Sequence, residues 1–288
     1  ELELSDGDYI DDYLEAFIFR QFREERYHGR ILEFLDRQIE HAQPDTYRRN
    51  FVLGRKAEFL SETGAGFDEI EKYCRDHWDD IHIREWLAQQ FVQKEKWSKA
   101  IEIYEECVSS EQDYLGFSKG LREELLQLYR RTDNQEKALQ TLWDLVCKSH
   151  CTDYYQELKS QYSNEEWLKE REKVFPCFNA RGQAQLLCEE KLYDRLWELL
   201  KDADLYMVLR YEDVLLPKYS AEILNKYQIY LNQAAKRAEG RAAYQAWVRL
   251  LKRMQKIDGG RKLAQQIADE WRVKYKNRSA MMEELRKL

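Results

Sequence analysis

By residue type and spacing, the positions in this chain best suited to chemistry are Cys74, His77 and His82, with Asp76, Asp79 and Asp80 among them. Cys-x2-His-x4-His offers ligand types that zinc accepts, but a tetrahedral site needs a fourth donor and a turn that closes the set. Cys74 falls where the second helix of a hairpin faces its partner, so its thiol reads as a small buried hydrophobe. Cys147-Lys148-Ser149-His150-Cys151 raises the same question, yet Cys147 continues the apolar face of Leu139, Leu142, Trp143 and Val146. No residue is assigned as a metal ligand, and no cofactor is expected.

Catalysis has equally little to stand on. A general acid and base need two titratable groups whose environments differ inside a cleft, and Glu105-Glu106 and Glu123-Glu124 read as ordinary helix-surface charges. Gly64-Ala65-Gly66 precedes a helix but follows no strand and lacks the third glycine and the Lys-Ser/Thr of a phosphate loop. No Ser-His-Asp or Cys-His constellation stands out. No catalytic residue is assigned, and a non-enzyme is expected, with an unrecognised enzyme as the alternative.

The elements that would position these groups are helices. Only 3 prolines and 11 glycines interrupt 288 residues, and apolar residues recur at three- and four-residue intervals, as in Ile10, Tyr13, Leu14, Phe17, Ile18 and in Ile31, Leu32, Phe34, Leu35, Ile39. No run alternates with period two, so no sheet is expected. With 8 Trp and 19 Tyr the chain has enough apolar area to offset ordering entropy, which excludes disorder. Breaks are predicted at Gln43-Pro44-Asp45, Thr63 to Gly66, Arg131 to Asn134, Pro176, Pro217 and Asp258-Gly259-Gly260. Ser163 and Glu166 form a capping box ahead of the helix carrying Trp167.

One phrase occurs twice. Leu87-Ala88, Phe91, Trp97, Ala100, Tyr104, Cys107 is followed 38 residues on by Leu125-Leu126, Tyr129, Gln135, Ala138, Leu142, Leu145. Over residues 83–148 this resembles the tetratricopeptide repeat, with Ala100 and Ala138 where paired helices pack closest, although Arg84 and Arg122 stand where a large aromatic is expected. Counting units from Tyr27, Phe67, Trp97, Gln135 and Tyr193 gives intervals of 40, 30, 38 and 58, the last long enough for an extra hairpin near 153–175. The expected fold is all-α, a right-handed α-solenoid of irregular tetratricopeptide-like antiparallel hairpins.

Two surfaces remain for recognition. In such hairpins the first helix of each unit lines a concave groove, which here offers Glu85 with Gln89 and Glu123 with Gln127. Lysine and asparagine, which clamp a C-terminal carboxylate in peptide-binding relatives, are missing there; a Glu-lined groove prefers a basic or neutral segment. From Lys236 onward 15 Lys and Arg face 6 Asp and Glu, a net of +9, against −16 for the rest of the chain. Residues 1–235 thus read as an acidic hairpin array and 236–288 as basic helices capping the same solenoid. Arg249, Lys252, Arg253 and Lys256 gather on one face and are the residues that would contact nucleic-acid phosphates.

The same segment carries a second likeness. Arg241 to Trp247, Leu250 to Met254, Trp271-Arg272, Tyr275 and Arg278 to Leu285 resemble the C-terminal end of bacterial SWIM zinc-finger proteins over roughly the last 70 residues. The resemblance implies a helical region that follows a small zinc module in a larger protein. The finger's Cys-x-Cys and Cys-x-His pairs are not present, so neither zinc nor finger-borne nucleic-acid binding carries onto any residue here. Opening on Glu1, the sequence is expected to be a fragment or processed form. Six cysteines without disulfide-scaffold density, and no apolar run of membrane-spanning length, point to a cytoplasmic, non-membrane protein whose partner is another protein or peptide.

Overall fold

The computed structural model describes residues 24–42, 47–109, 115–237 and 240–288, and every regular element among them is helical. The apolar run Ile10 to Ile18 and the Gln43-Pro44-Asp45 break lie outside the described residues. The chain divides between Trp167 and Leu168 into two compact units. The change of charge at 235/236 therefore falls inside the second unit.

The first unit holds α1 (Glu25–His41), α2 (Tyr47–Glu62), α3 (Phe67–Asp76), α4 (Ile81–Gln93), α5 (Trp97–Ser109), α6 (Leu115–Arg131), α7 (Gln135–Cys147), a 3-10 turn (Thr152–Tyr154) and α8 (Tyr155–Ser160), with the division falling early in α9 (Asn164–Val174). Each of α1 to α7 packs on the next, and α2 also meets α4. Ile31, Leu35, Val52 and Phe59 form the core of the first helix pair. Ile83, Leu87, Ala88 and Phe91 of α4 are fully buried, as are Ala100 and Tyr104 of α5. Burial of each larger apolar side chain here contributes about 1.5–3 kcal/mol.

The second unit continues through α10 (Ala180–Glu189), α11 (Tyr193–Leu200), α12 (Leu205–Leu209), α13 (Glu212–Ala234), α14 (Arg241–Met254), α15 (Gly260–Lys274) and α16 (Ser279–Leu285). Helix α13 packs on α11, α12, α14 and α15, and α14 packs on α15 and α16. A break was expected at Pro217, and α13 is there two helical stretches joined across a kink, with the departure from helical geometry at Tyr219 (φ −122°, ψ 28°). At the sixth helical position proline cannot donate to the carbonyl four residues earlier, and the helix kinks. At Asp258-Gly259-Gly260 the chain does turn, with φ +75° at Gly259. A Cβ on Gly260 would lie 2.0 Å from the Met254 carbonyl oxygen, so only glycine fits there.

Phe67, Trp97, Gln135 and Tyr193 are each the first residue of a helix, and each follows the same turn. Gly64, Glu95, Asp133 and Lys191 have φ of 82°, 56°, 52° and 57°. The next residue's N–H reaches back five positions in every case: Ala65 to Leu60, Lys96 to Phe91, Asn134 to Tyr129 and Leu192 to Leu187, at 2.8 to 3.0 Å. This is the Schellman closure, in which a left-handed residue lets the chain satisfy the last carbonyls of one helix before the next begins. Asp80 and Asn134 cap the following helices, accepting from His82 N (2.8 Å) and Lys137 N (3.2 Å). The Ser163–Glu166 capping box forms as predicted, Ser163 N donating to Glu166 Oε2 at 2.9 Å and Glu166 N to Ser163 Oγ at 3.3 Å.

Candidate functional site

Helix α4 buries Leu87, Ala88 and Phe91 and leaves Glu85 half-buried and Gln89 exposed on its other side. Gln89 Nε2 donates to Glu85 Oε1 at 3.5 Å. Burial pushes the Glu85 carboxyl above its usual range, with His82 opposing and the charge of Glu124 adding to the shift. From α6, then, it is the carboxylate of Glu124 that acts on Glu85. Glu123, the residue at the 38-residue repeat, turns elsewhere. Its Oε1 accepts from the Tyr154 hydroxyl at 2.9 Å and lies 3.6 Å from Lys119 Nζ. Burial and the Glu123 hydrogen bond push the Tyr154 phenol up to about 12. Gln127 is exposed.

The expected quartet is thus divided: Glu85 and Gln89 meet, while Glu123 is engaged by Lys119 and Tyr154. The physical reason is the wide buried face of α6, where Leu121, Arg122, Leu125, Leu126, Leu128 and Tyr129 are all buried. Between α4 and α6, on α5, Tyr104 is fully buried and its hydroxyl has no hydrogen-bond partner. Burial raises the Tyr104 phenol strongly, and the charges of Glu124 and Glu85 add to the effect. Sequence reasoning treated Tyr104 as a core aromatic, and its hydroxyl was the only signal of anything more.

A cleft of about 320 Å³ lies among α5, α6 and α7, lined by Glu105, Arg122, Tyr129, Lys137, Thr141 and Asp144, among others. Arg122 donates to Ser118 Oγ and, at 3.1 Å, to Ser149 Oγ. Glu105 accepts from Lys137 and from the Tyr129 hydroxyl. Burial alone would raise the Glu105 carboxyl, but these two hydrogen bonds hold it below its usual range. Asp144 pairs with Lys148 at 2.9 Å. Each carboxylate here has its own lysine, so the charges neutralise one another locally. The sequence signal for this cleft was an arginine on a buried helix face.

On the basic segment, Arg249, Lys252, Arg253 and Lys256 of the expected phosphate face are all exposed residues. Arg253 nevertheless has a structural task that the sequence did not reveal. Its Nε donates to Glu212 Oε2 and its guanidinium reaches the Leu209 carbonyl at 3.2 Å. Glu212 is buried and also accepts from the Tyr227 hydroxyl at 2.7 Å. That leaves Arg249, Lys252 and Lys256 as the exposed basic residues of the set outside the Glu212 contact.

Cys74 is fully buried, and burial pushes its thiol up to about 12. Burial pushes the His77 imidazole down, and its ring meets Tyr73 edge-on at 4.9 Å. Among the described residues no three His, Cys, Asp or Glu side chains converge as a metal site would require. Cys147 is half-buried rather than buried, and the Cys151 thiol donates to Asp153 at 3.7 Å. Among the described residues no helix is long and apolar enough to cross a membrane. Compared with known proteins, the chain matches no family model and no curated protein.

Proposed function

We propose that this chain is a non-catalytic protein-interaction scaffold, a right-handed α-solenoid of irregular tetratricopeptide-like hairpins. The observation that carries the reading is the recurrence of one turn, with the same left-handed residue and the same backbone closure, at Gly64, Glu95, Asp133 and Lys191. The intervals of 31, 38 and 58 match the irregular spacing of the hairpins. Stacked hairpins of this kind bury one face against their neighbours and leave the other for a ligand. The chain would be the C-terminal helical region of a larger SWIM zinc-finger-like protein in the cytoplasm, in keeping with its six free cysteines.

A peptide library of mixed composition, applied to the full chain, tests this reading. Retention of a defined class of peptides supports it, and a library from which nothing is retained overturns it. The exposed Arg249, Lys252 and Lys256 favour a second reading, in which the C-terminal helices contact nucleic-acid phosphates without reading bases. Duplex and single-stranded DNA titrated across a salt series test it: binding lost on charge reversal at these three positions supports it, and no binding at low salt removes it.

A further inference from the structure

In the second unit α12 packs on α13; α12 buries Leu205 and Val208, and α13 buries Tyr227 and Leu231. The residues next to these anchors come to the rim, where Tyr206 is 53% exposed and Tyr230 half-buried. Their hydroxyls form a hydrogen bond of 3.0 Å, and the two ring centroids lie 5.5 Å apart at 85°. Each phenol can donate or accept, so the pair is complete in itself. Two further bonds fix the approach: Asp204 caps α12 by accepting from Met207 N at 3.0 Å, and Lys226, one turn before Tyr230, donates to the Ala203 carbonyl at 2.8 Å. Other tyrosines donate to carboxylates, as Tyr129 to Glu105, Tyr154 to Glu123, Tyr219 to Asp194 and Tyr227 to Glu212. A phenol held on a carboxylate has no second phenol at its oxygen.

We propose that Tyr206 and Tyr230 are an oxidative cross-linking site, which takes a peroxide-derived one-electron oxidant and yields a dityrosine carbon–carbon bond between α12 and α13. The site stands independently of the scaffold reading. Tyr206, the more exposed ring, meets the oxidant first and gives up one electron together with its hydroxyl proton, which leaves a phenoxyl radical. Transfer of a hydrogen atom from the Tyr230 hydroxyl across the 3.0 Å bond moves the radical to the half-buried ring. A second oxidation of Tyr206 then sets two radicals side by side. Their unpaired spin lies on the ring carbons ortho to each oxygen as well as on the oxygens. Coupling of one ortho carbon from each ring forms the new bond, and the two ortho hydrogens move to the oxygens and restore both phenols. Two phenols and one hydrogen peroxide are consumed, and one linked biphenol and two waters are formed. Because the rings are already neighbours, the step is intramolecular and outruns coupling between chains. The product spans 24 residues and ties the short helix Leu205–Leu209 to α13.

The test treats the full chain, at low concentration, with a haem peroxidase and limiting hydrogen peroxide. Dityrosine fluorescence, intact mass and the linked fragments after proteolysis are read. The expected product is a monomer lighter by two hydrogens, in which the linked fragment joins Tyr206 to Tyr230. Y206F and Y230F each lower the yield of that monomer by about tenfold or more, because the remaining phenol has lost its positioned partner. Y47F removes a tyrosine that is 86% exposed and leaves the yield unchanged, since exposure alone does not hold two rings together. Linkage mapped to other tyrosines, oxidised dimers in place of the linked monomer, or an equal yield from Y206F would overturn the proposal. The linkage is mapped on the wild-type chain, so the outcome does not depend on how either variant folds.

Discussion

Glu85 in the first unit is half-buried and its carboxyl is raised by burial, whereas Glu212 and Glu284 in the second are buried among donors from neighbouring side chains. Glu212 takes the Tyr227 hydroxyl and Arg253; Glu284 takes Lys287 at 2.6 Å and Gln245 at 3.4 Å, with Arg241 at 3.7 Å. The Lys287 hydrogen bond, above all, holds the Glu284 carboxyl below its usual range. A buried charge costs little only when its donors are complete. Complete sets of donors hold helices together.

The largest effect expected from this contrast is at Arg253. Replacing it by Met strands Glu212 beneath α14 and lowers stability by about 3 kcal/mol in a denaturant melt, the low end for a broken buried pair because the guanidinium is partly exposed. Adding E212Q restores most of that loss, since glutamine still accepts from Tyr227 and carries no charge. A loss that E212Q leaves untouched would mean that Arg253 stabilises through its Leu209 contact instead.

Packing, unlike charge, is expected to be alike in the two units. Ala100 and Ala268 are both fully buried, so Ala100→Leu and Ala268→Leu each overpack a helix contact and cost about 1–3 kcal/mol. Surface-like tolerance at Ala100 alone would break the repeat register on which the scaffold reading depends.

A smaller gain is expected at the left-handed turns. Glu95 and Lys191 are exposed and hold φ values that glycine adopts without penalty. Glu95→Gly and Lys191→Gly should each raise stability by about 0.5–1 kcal/mol, seen as a higher denaturant midpoint. Unequal responses would show that the turns differ between the units despite their common hydrogen bonds.

The smallest effect is in the pH dependence, where two carboxylates act with opposite sign. Glu85, raised by burial, binds its proton more tightly in the folded chain, so its contribution is fully present below the ordinary 4.5 and is lost as pH rises through the folded value. Glu172, lowered by hydrogen bonds from Arg195 at 2.7 and 3.0 Å, contributes stability above 4.5 that is lost as pH falls. The stability of E85Q relative to wild type should therefore grow as pH rises from about 4 to 7, and that of E172Q should fall. A flat difference for E85Q would place that carboxyl in open water.

How far the sequence could be read differs by level. Helix starts were legible at Phe67, Trp97, Gln135 and Tyr193 because apolar periodicity and turn residues are local signals, and so was the Ser163–Glu166 cap. The break expected at Pro217 is met by a kink: beyond the first turn a proline removes a helical hydrogen bond, and two helical stretches join there across Tyr219. At the glutamate register, Glu123 is engaged by Tyr154 and Lys119, and the α6 charge acting on Glu85 is that of Glu124. A repeat of 38 aligns Glu85 with Glu123, but the rotation of α6 depends on which of its residues the neighbouring helices bury, and that face includes Arg122.

The order and type of the elements, the positions of the turns and the uneven distribution of charge were thus written in the chain itself, since each follows from residues close together in sequence. Which charge meets which was decided only by tertiary structure. The charge of Glu124 adds to the burial of Glu85 although the two are 39 residues apart, and Arg253 closes over Glu212 from 41 residues away. Electrostatic partnership is a matter of distance and burial in space, and helix rotation sets both without leaving a mark on local sequence.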